Sequence, residues 1–197
     1  VNRAITLLVA SGVILLLPEP AFAQRFGGDF GGAGGFWLVY ADLGIDPDRS
    51  FGRDVGGVVA LGGRGFLQTG RVRLGGGAFG GGFVDEGTNS GGNRVQGGFS
   101  GGGFTAEYLV VQRNLELAVG GMAGGGVLTI EEIVSVSGEV EDLRRRRESM
   151  FLGYPWLRIS YNPAPLINVG LQLGYMAGTQ EVGGFAIGLD IIAGLIP

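Results

Sequence analysis

The chain has 197 residues, 43 of them Gly, with 18 acidic side chains, 14 basic ones that are all Arg, neither His nor Cys, and a formal net charge of −4. That inventory excludes Ser-His-Asp and Cys-His nucleophiles, ordinary zinc or copper sites, disulfide frameworks, lysine Schiff bases and the P-loop lysine. The acidic balance argues against a nucleic-acid partner, and the 45% hydrophobic fraction argues against the disordered chain that so much Gly would otherwise suggest.

At the start of the chain, Arg3 precedes an apolar run from Ala4 to Leu17, which Pro18 and Pro20 break just before the small-x-small triplet Ala21-Phe22-Ala23. This pattern predicts an export signal over residues 1–23, cleaved before Gln24. The run is too short to span a bilayer comfortably, and with no Cys in the chain a lipoprotein anchor is excluded. Export from a bacterial cell leads to the periplasm, the outer membrane or the exterior. Residues 24–34, rich in Gly, predict a mobile lead-in.

Beyond residue 34 no stretch sustains a 3.6-residue apolar period for three turns, whereas period-2 alternation recurs throughout. Eight strands are predicted, at 35–44, 55–67, 71–83, 94–111, 115–130, 149–161, 167–178 and 183–195. Odd strands are followed by variable, mostly longer loops at 45–54, 84–93, 131–148 and 179–182. Even strands are followed by short turns at 68–70, 112–114 and 162–166. Three hairpins, Gly65–Gly82, Gly103–Gly126 and Pro155–Gly178, each place a polar turn between alternating strands and end in small residues. The expected fold class is all-β: an eight-stranded antiparallel up-and-down barrel, a meander over residues 35–197, that crosses a membrane.

In such a barrel charged residues share the inward parity of their strand and large apolar residues the outward parity. Val169, Leu171, Leu173 and Tyr175 oppose Asn168, Gly170, Gln172 and Gly174, while Phe185, Ile187, Leu189 and Ile191 oppose Gly184, Ala186, Gly188 and Asp190. Leu157, Ile159 and Tyr161 oppose Trp156, Arg158 and Ser160. In the first strand the same rule sets Trp37, Val39, Ala41 and Leu43 outward, with Tyr40 and Asp42 inward.

Inward parity everywhere collects Asp42, Glu107, Glu116 and Asp190 with Arg64, Arg71, Arg73 and Arg158. Charges in a narrow lumen must be paired, so these eight are expected to form an ion-pair network toward the short turns. Outward aromatics sort into two girdles, Trp37, Tyr108 and Tyr161 near the short turns and Phe151, Tyr175 and Phe185 near the long loops. Against this pattern, Gly76, Ala78, Gly80, Gly82, Gly121, Ala123 and Gly125 fall on the lipid-facing side, where larger apolar residues are usual.

Two motif matches carry no function. Gly75-x-Gly77-x-x-Gly80 lies inside a strand with no helix or βαβ unit after it, and Gly98-x-Ser100-x-Gly102 has no His to activate Ser100. Asp46, Asp48 and Asp54 offer alternating oxygen ligands for Ca²⁺, but Phe51 displaces the turn glycine and Arg49 and Arg53 repel a cation, so a plain polar loop is the better reading. Between Glu131 and Glu148, the arginines Arg144, Arg145, Arg146 and Arg147 are candidates for surface contacts, including lipopolysaccharide phosphates, which guanidinium groups pair bidentately. Pairs such as Glu141 with Arg145 and Asp142 with Arg146 would equally suit a self-compensating helical turn.

Residues 35–197 resemble, in architecture and without a diagnostic motif, the small eight-stranded outer-membrane barrels of the OmpA, OmpX and opacity-protein kind. The resemblance implies a last strand ending in an aromatic residue, a feature from which Gly194-Leu195-Ile196-Pro197 departs. It also implies that enzymatic members use a catalytic His, which this chain lacks. The expectation is therefore a non-enzymatic outer-membrane barrel with a structural, adhesive or surface-interaction role. It would have at most a very narrow pore, no cofactor, and outer-membrane lipid as partner. Two alternatives stay open: a soluble exported barrel or sandwich binding a small apolar ligand, and a Gly-rich surface or matrix protein.

Overall fold

A computed structural model describes residues 30–43, 57–84, 87–88, 94–136, 140–179 and 182–195. Eight strands form the wall: β1 Phe30–Ala41, β2 Val58–Thr69, β3 Val72–Phe83, β4 Arg94–Val111, β5 Leu115–Val136, β6 Val140–Ala164, β7 Ile167–Gly178 and β8 Gly183–Leu195. Each pairs antiparallel with its neighbours in sequence, and β8 returns to pair with β1, closing a meander barrel without a helix among the described residues. A two-residue piece, Gly87–Thr88, pairs beside the start of β4.

Following paired residues round the wall gives the stagger. Ser149 pairs with Val127, then in turn come Ser100, Gly80, Leu61, Leu38, Leu189, Leu171 and finally Ile159, ten residues further along β6 than the start. Strands so offset tilt steeply and enclose a lumen just wide enough for side chains to fill. Close coiling demands small residues in places. A Cβ on inward-facing Gly62 would lie 1.9 Å from the Ala78 carbonyl oxygen of the next strand. Gly70, with φ of 54°, makes the tight turn between β2 and β3.

Alternation of burial follows the pleat, most regularly on β8, where Phe185, Ile187, Leu189 and Ile191 face out and Ala186, Gly188, Asp190 and Ile192 face in. Outward side chains such as Phe36, Leu61, Phe104, Phe151 and Leu173 form an apolar belt. Among the described residues, charges on the outer face occur only toward the rims, at Asp42, Arg71, Arg113, Glu131, Arg145 and Arg147. Gly76, Ala78, Gly80, Gly82, Gly121, Ala123 and Gly125 do face outward, so one side of the wall is thin.

Two boundaries differ from expectation. β1 begins at Phe30, so residues 30–34 pair with β2 and are part of the wall. Residues 131–136 and 140–148 are strand and form no helical turn: β5 and β6 continue as one ladder as far as Val136 opposite Val140. Its acids and arginines are matched across strands, Glu132 opposite Arg144 and Glu131 opposite Arg145. Along an extended strand, residues four apart are about 13 Å distant, which removes the Glu141–Arg145 and Asp142–Arg146 pairing. Residues 1–29 and the Asp46, Asp48 and Asp54 loop lie outside the described residues.

Candidate functional site

The lumen near the short turns is polar. Arg64 on β2, Arg73 on β3, Glu107 on β4, Glu116 on β5, Arg158 on β6 and Asp190 on β8 are all buried there. They form a ring of alternating charge. Arg158 Nη2 lies 2.6 Å from Asp190 Oδ1, Arg73 Nη2 2.9 Å from Glu116 Oε2, and Arg64 Nη2 2.9 Å from Glu107 Oε1. Longer contacts join these three pairs: Arg158 to Glu116 at 3.9 Å, Arg73 to Glu107 at 4.0 Å and Arg64 to Asp190 at 3.6 Å. Every member thus has two neighbours of opposite sign, and three cations balance three anions.

Neutral polar groups complete the network. Arg158 donates to Ser160 Oγ at 2.9 Å and to Asn168 Oδ1, and Arg73 Nε donates to Gln68 Oε1 at 2.7 Å. Ser160 Oγ donates to Glu116 at 3.0 Å, Gln172 to Asp190 at 2.8 Å and Trp156 Nε1 to Glu107 at 2.8 Å. The Arg64 guanidinium sits 5.6 Å from the Trp156 ring and 6.0 Å from that of Trp37. Removing carboxylates and guanidiniums from water is costly unless their remaining sites are also hydrogen-bonded; the amides supply part of those bonds, while Arg64 Nη1, Arg73 Nη1 and Glu107 Oε2 have only the longer ion contacts. Gln68, Asn168 and Gln172 share the inward parity of the charges beside them, which is the signal by which the sequence marks them.

Toward the long loops the lumen turns apolar. Trp37 lies at the junction, donating from Nε1 to Gln172 Oε1 at 3.1 Å, stacking on Tyr154 at 6.0 Å and meeting Phe79 edge-on at 5.4 Å. Phe99, Leu128, Met150, Leu152 and Met176 are buried beyond it.

This changes three expected positions. Trp37 faces the lumen and belongs to neither girdle; Phe36, Leu38 and Tyr40 are the outward residues of β1. Asp42 lies past the end of β1, exposed at the long-loop rim, because the lumen at that height is apolar. Arg71 is exposed in the turn after β2, where water solvates it at no cost.

On the outside, β6 carries its arginines above the barrel. Arg145 Nε lies 3.3 Å from Glu131 Oε1 and Arg146 Nη2 2.5 Å from Glu148 Oε1, while Arg144 is placed by its backbone pairing with Glu132. Arg145 and Arg147 share the outward parity of Phe151.

A closed eight-stranded meander, lipophilic outside and plugged inside, has counterparts among solved structures. Neisserial surface protein A has a TM-score of 0.51 at 9% identity, over 84% of this chain and 96% of that one. The attachment invasion locus protein Ail of Yersinia pestis, in complex with the heparin analogue sucrose octasulfate, has 0.51 at 12%, over 84% and 97%. The N-terminal barrel domain of Pseudomonas aeruginosa OprF has 0.50 at 15%, over 85% and 98%. The fold is that of a small outer-membrane barrel. No protein-family model matches the chain, and no curated protein matches its sequence. In an outer-membrane barrel the short turns face the periplasm and the longer connections the exterior. In this barrel the charge ring lies at the short-turn end and the β5–β6 hairpin at the long-loop end.

Proposed function

We propose that the chain is an exported, non-enzymatic outer-membrane protein that works through the β5–β6 hairpin, projecting from a closed, non-conducting barrel. One observation carries this reading. The β5–β6 ladder continues to Val136 opposite Val140, whereas pairing between β6 and β7 ends at Leu152 opposite Gly178. Residues 140–148 therefore run on beyond the last β6–β7 pair with one edge unpaired among the described residues. An unpaired strand edge bearing arginines resists pairing with a like-charged copy and accepts acidic or phosphorylated partners.

The carboxylates support a non-catalytic role. Glu107, Glu116 and Asp190 are each held by arginine inside a filled lumen, and the sequence contains no His to act as base. Membrane lipid is the partner of the apolar belt, and phosphates of outer-leaflet lipopolysaccharide are the partner proposed for the outward arginines. Trypsin applied to intact cells should cut within 144–147 and leave a core that still shows heat-modifiable mobility on gels. Recovery of the protein from the periplasmic fraction without detergent would overturn the reading.

A further inference from the structure

At the long-loop end, a furrow of about 520 Å³ runs across the wall at Gln96, Gly97, Gly98 and Ser100 of β4, lined also by Gly81 and Phe83 of β3, by Phe99, and by Val127 and Thr129 of β5. Gln96, Glu131 and Arg145 close its upper end. Its height follows from the ladder. Phe151, of the outer girdle, pairs with Gly125; the next outward pairs up are Ser149 with Val127, Arg147 with Thr129 and Arg145 with Glu131. The furrow thus begins where the acyl region ends and rises through the headgroup layer.

We infer that this furrow seats the phosphorylated sugar headgroup of an outer-leaflet glycolipid. The proposal rests on the outer-membrane orientation argued above. Three features select that occupant. Gln96 donates to Glu131 Oε2 at 3.3 Å and Arg145 approaches Glu131 through Nε, so the terminal Nη groups of Arg145 have no partner among the described residues. Its side chain is 59% exposed. Arg147, on the same face about 7 Å nearer the membrane, likewise has no ion-pair partner among the described residues. Two guanidiniums at this spacing suit a phosphate, to which they donate in forks.

Gln96, Ser100 and Thr129 present amide and hydroxyl groups beside Phe83, Phe99 and Val127, a mixture that matches the hydroxyls and C–H face of a sugar ring better than a bare glycerol phosphate. Below it the wall is smooth. Gly102 pairs with both Ala78 and Gly125, and none projects far enough to hold an acyl chain off the backbone. The lipid-facing glycines, which weaken the belt elsewhere, here make the continuation of the headgroup site into the hydrocarbon. That continuity favours a lipid over a free sugar phosphate.

The test measures lipid retained by the detergent-solubilised protein in native mass spectrometry, with bisphosphorylated lipid A, dephosphorylated lipid A and phosphatidylglycerol as probes. Wild type should retain bisphosphorylated lipid A in preference to the other two. Replacing both Arg145→Gln and Arg147→Gln removes charge-assisted hydrogen bonds and should weaken retention at least about tenfold. Ser100→Phe, which fills the furrow without altering charge, should also weaken it, while Arg113→Gln at the opposite rim should not. Equal retention by wild type and the furrow variants, or equal retention of phosphatidylglycerol, overturns the proposal. Displacement of lipid A by equimolar glucose 1-phosphate would assign a free sugar phosphate and overturn it too. Failure of the barrel reading itself would instead show as loss of heat-modifiable mobility in wild type.

Discussion

Toward the short turns the lumen is packed with three arginines, three carboxylates and the amides that bridge them; toward the long loops it is packed with Trp37, Phe79, Phe99, Tyr154 and a group of aliphatic and methionine side chains. Both halves fill the same bore, but they are held differently. The apolar half gains from area removed from water and from contact density, so its members are exchangeable within limits of volume. In the charged half each member is tolerable only while its counter-charges stay in place.

The contrast is sharpest for a single deletion in the ring. Arg158→Leu removes the guanidinium that donates to Asp190, Ser160 and Asn168, leaving Asp190 with only Gln172 and the longer Arg64 contact, and should cost about 3–5 kcal/mol, read as a lowered urea midpoint in detergent. Adding Asp190→Leu should recover a large part of that loss, which a simple sum of two damaging changes would not. In the apolar half, Trp37→Ala should cost about 3 kcal/mol through the cavity it leaves, and no second deletion there should restore it.

Conductance separates the halves in another way. Trp37→Ala alone, or the neutralised Arg158 and Asp190 pair alone, should leave planar-bilayer current near baseline because the other half still blocks the bore; all three changes together should raise it. Conservative exchange gives a smaller effect. Met176→Leu should cost less than about 1.5 kcal/mol, whereas Asn168→Leu, similar in size, leaves ring atoms unpaired and should cost about 1–3 kcal/mol. The smallest changes are expected for Asp42→Asn and Arg71→Gln, each within about 0.5 kcal/mol, since both residues are solvated.

The same contrast decides how much of the molecule was legible in its sequence. On β7 and β8 every other residue is large and apolar and the alternates are small or polar, so parity and the inward position of Asp190 follow directly. On β1 the run Phe36-Trp37-Leu38-Val39-Tyr40 is apolar on both faces. A rule that sends charge inward then drew Asp42 in and pushed Trp37 out, because it did not allow for a lumen apolar at one end. The hairpin above the rim was obscure for a related reason. Glu141 with Arg145 has helical spacing, and the partner Arg145 takes, Glu131, lies across a strand ladder that no local pattern displays. Glycine was the least legible residue, since it serves wall curvature at Gly62 and leaves a smooth outer surface at Gly102 and Gly125.

The ring draws its sixth charge from the strand that closes the barrel. Until β8 arrives, Arg158 lacks its two closest carboxylate contacts and Arg64 lacks one of its two. Because side chains alternate, a slip of one residue would turn Asp190 into hydrocarbon and bring Leu189 or Ile191 to face the guanidiniums. Asp190 thus acts as a registration mark for the closing seam: wall and lumen are satisfied together only when the first and last strands meet in the correct frame.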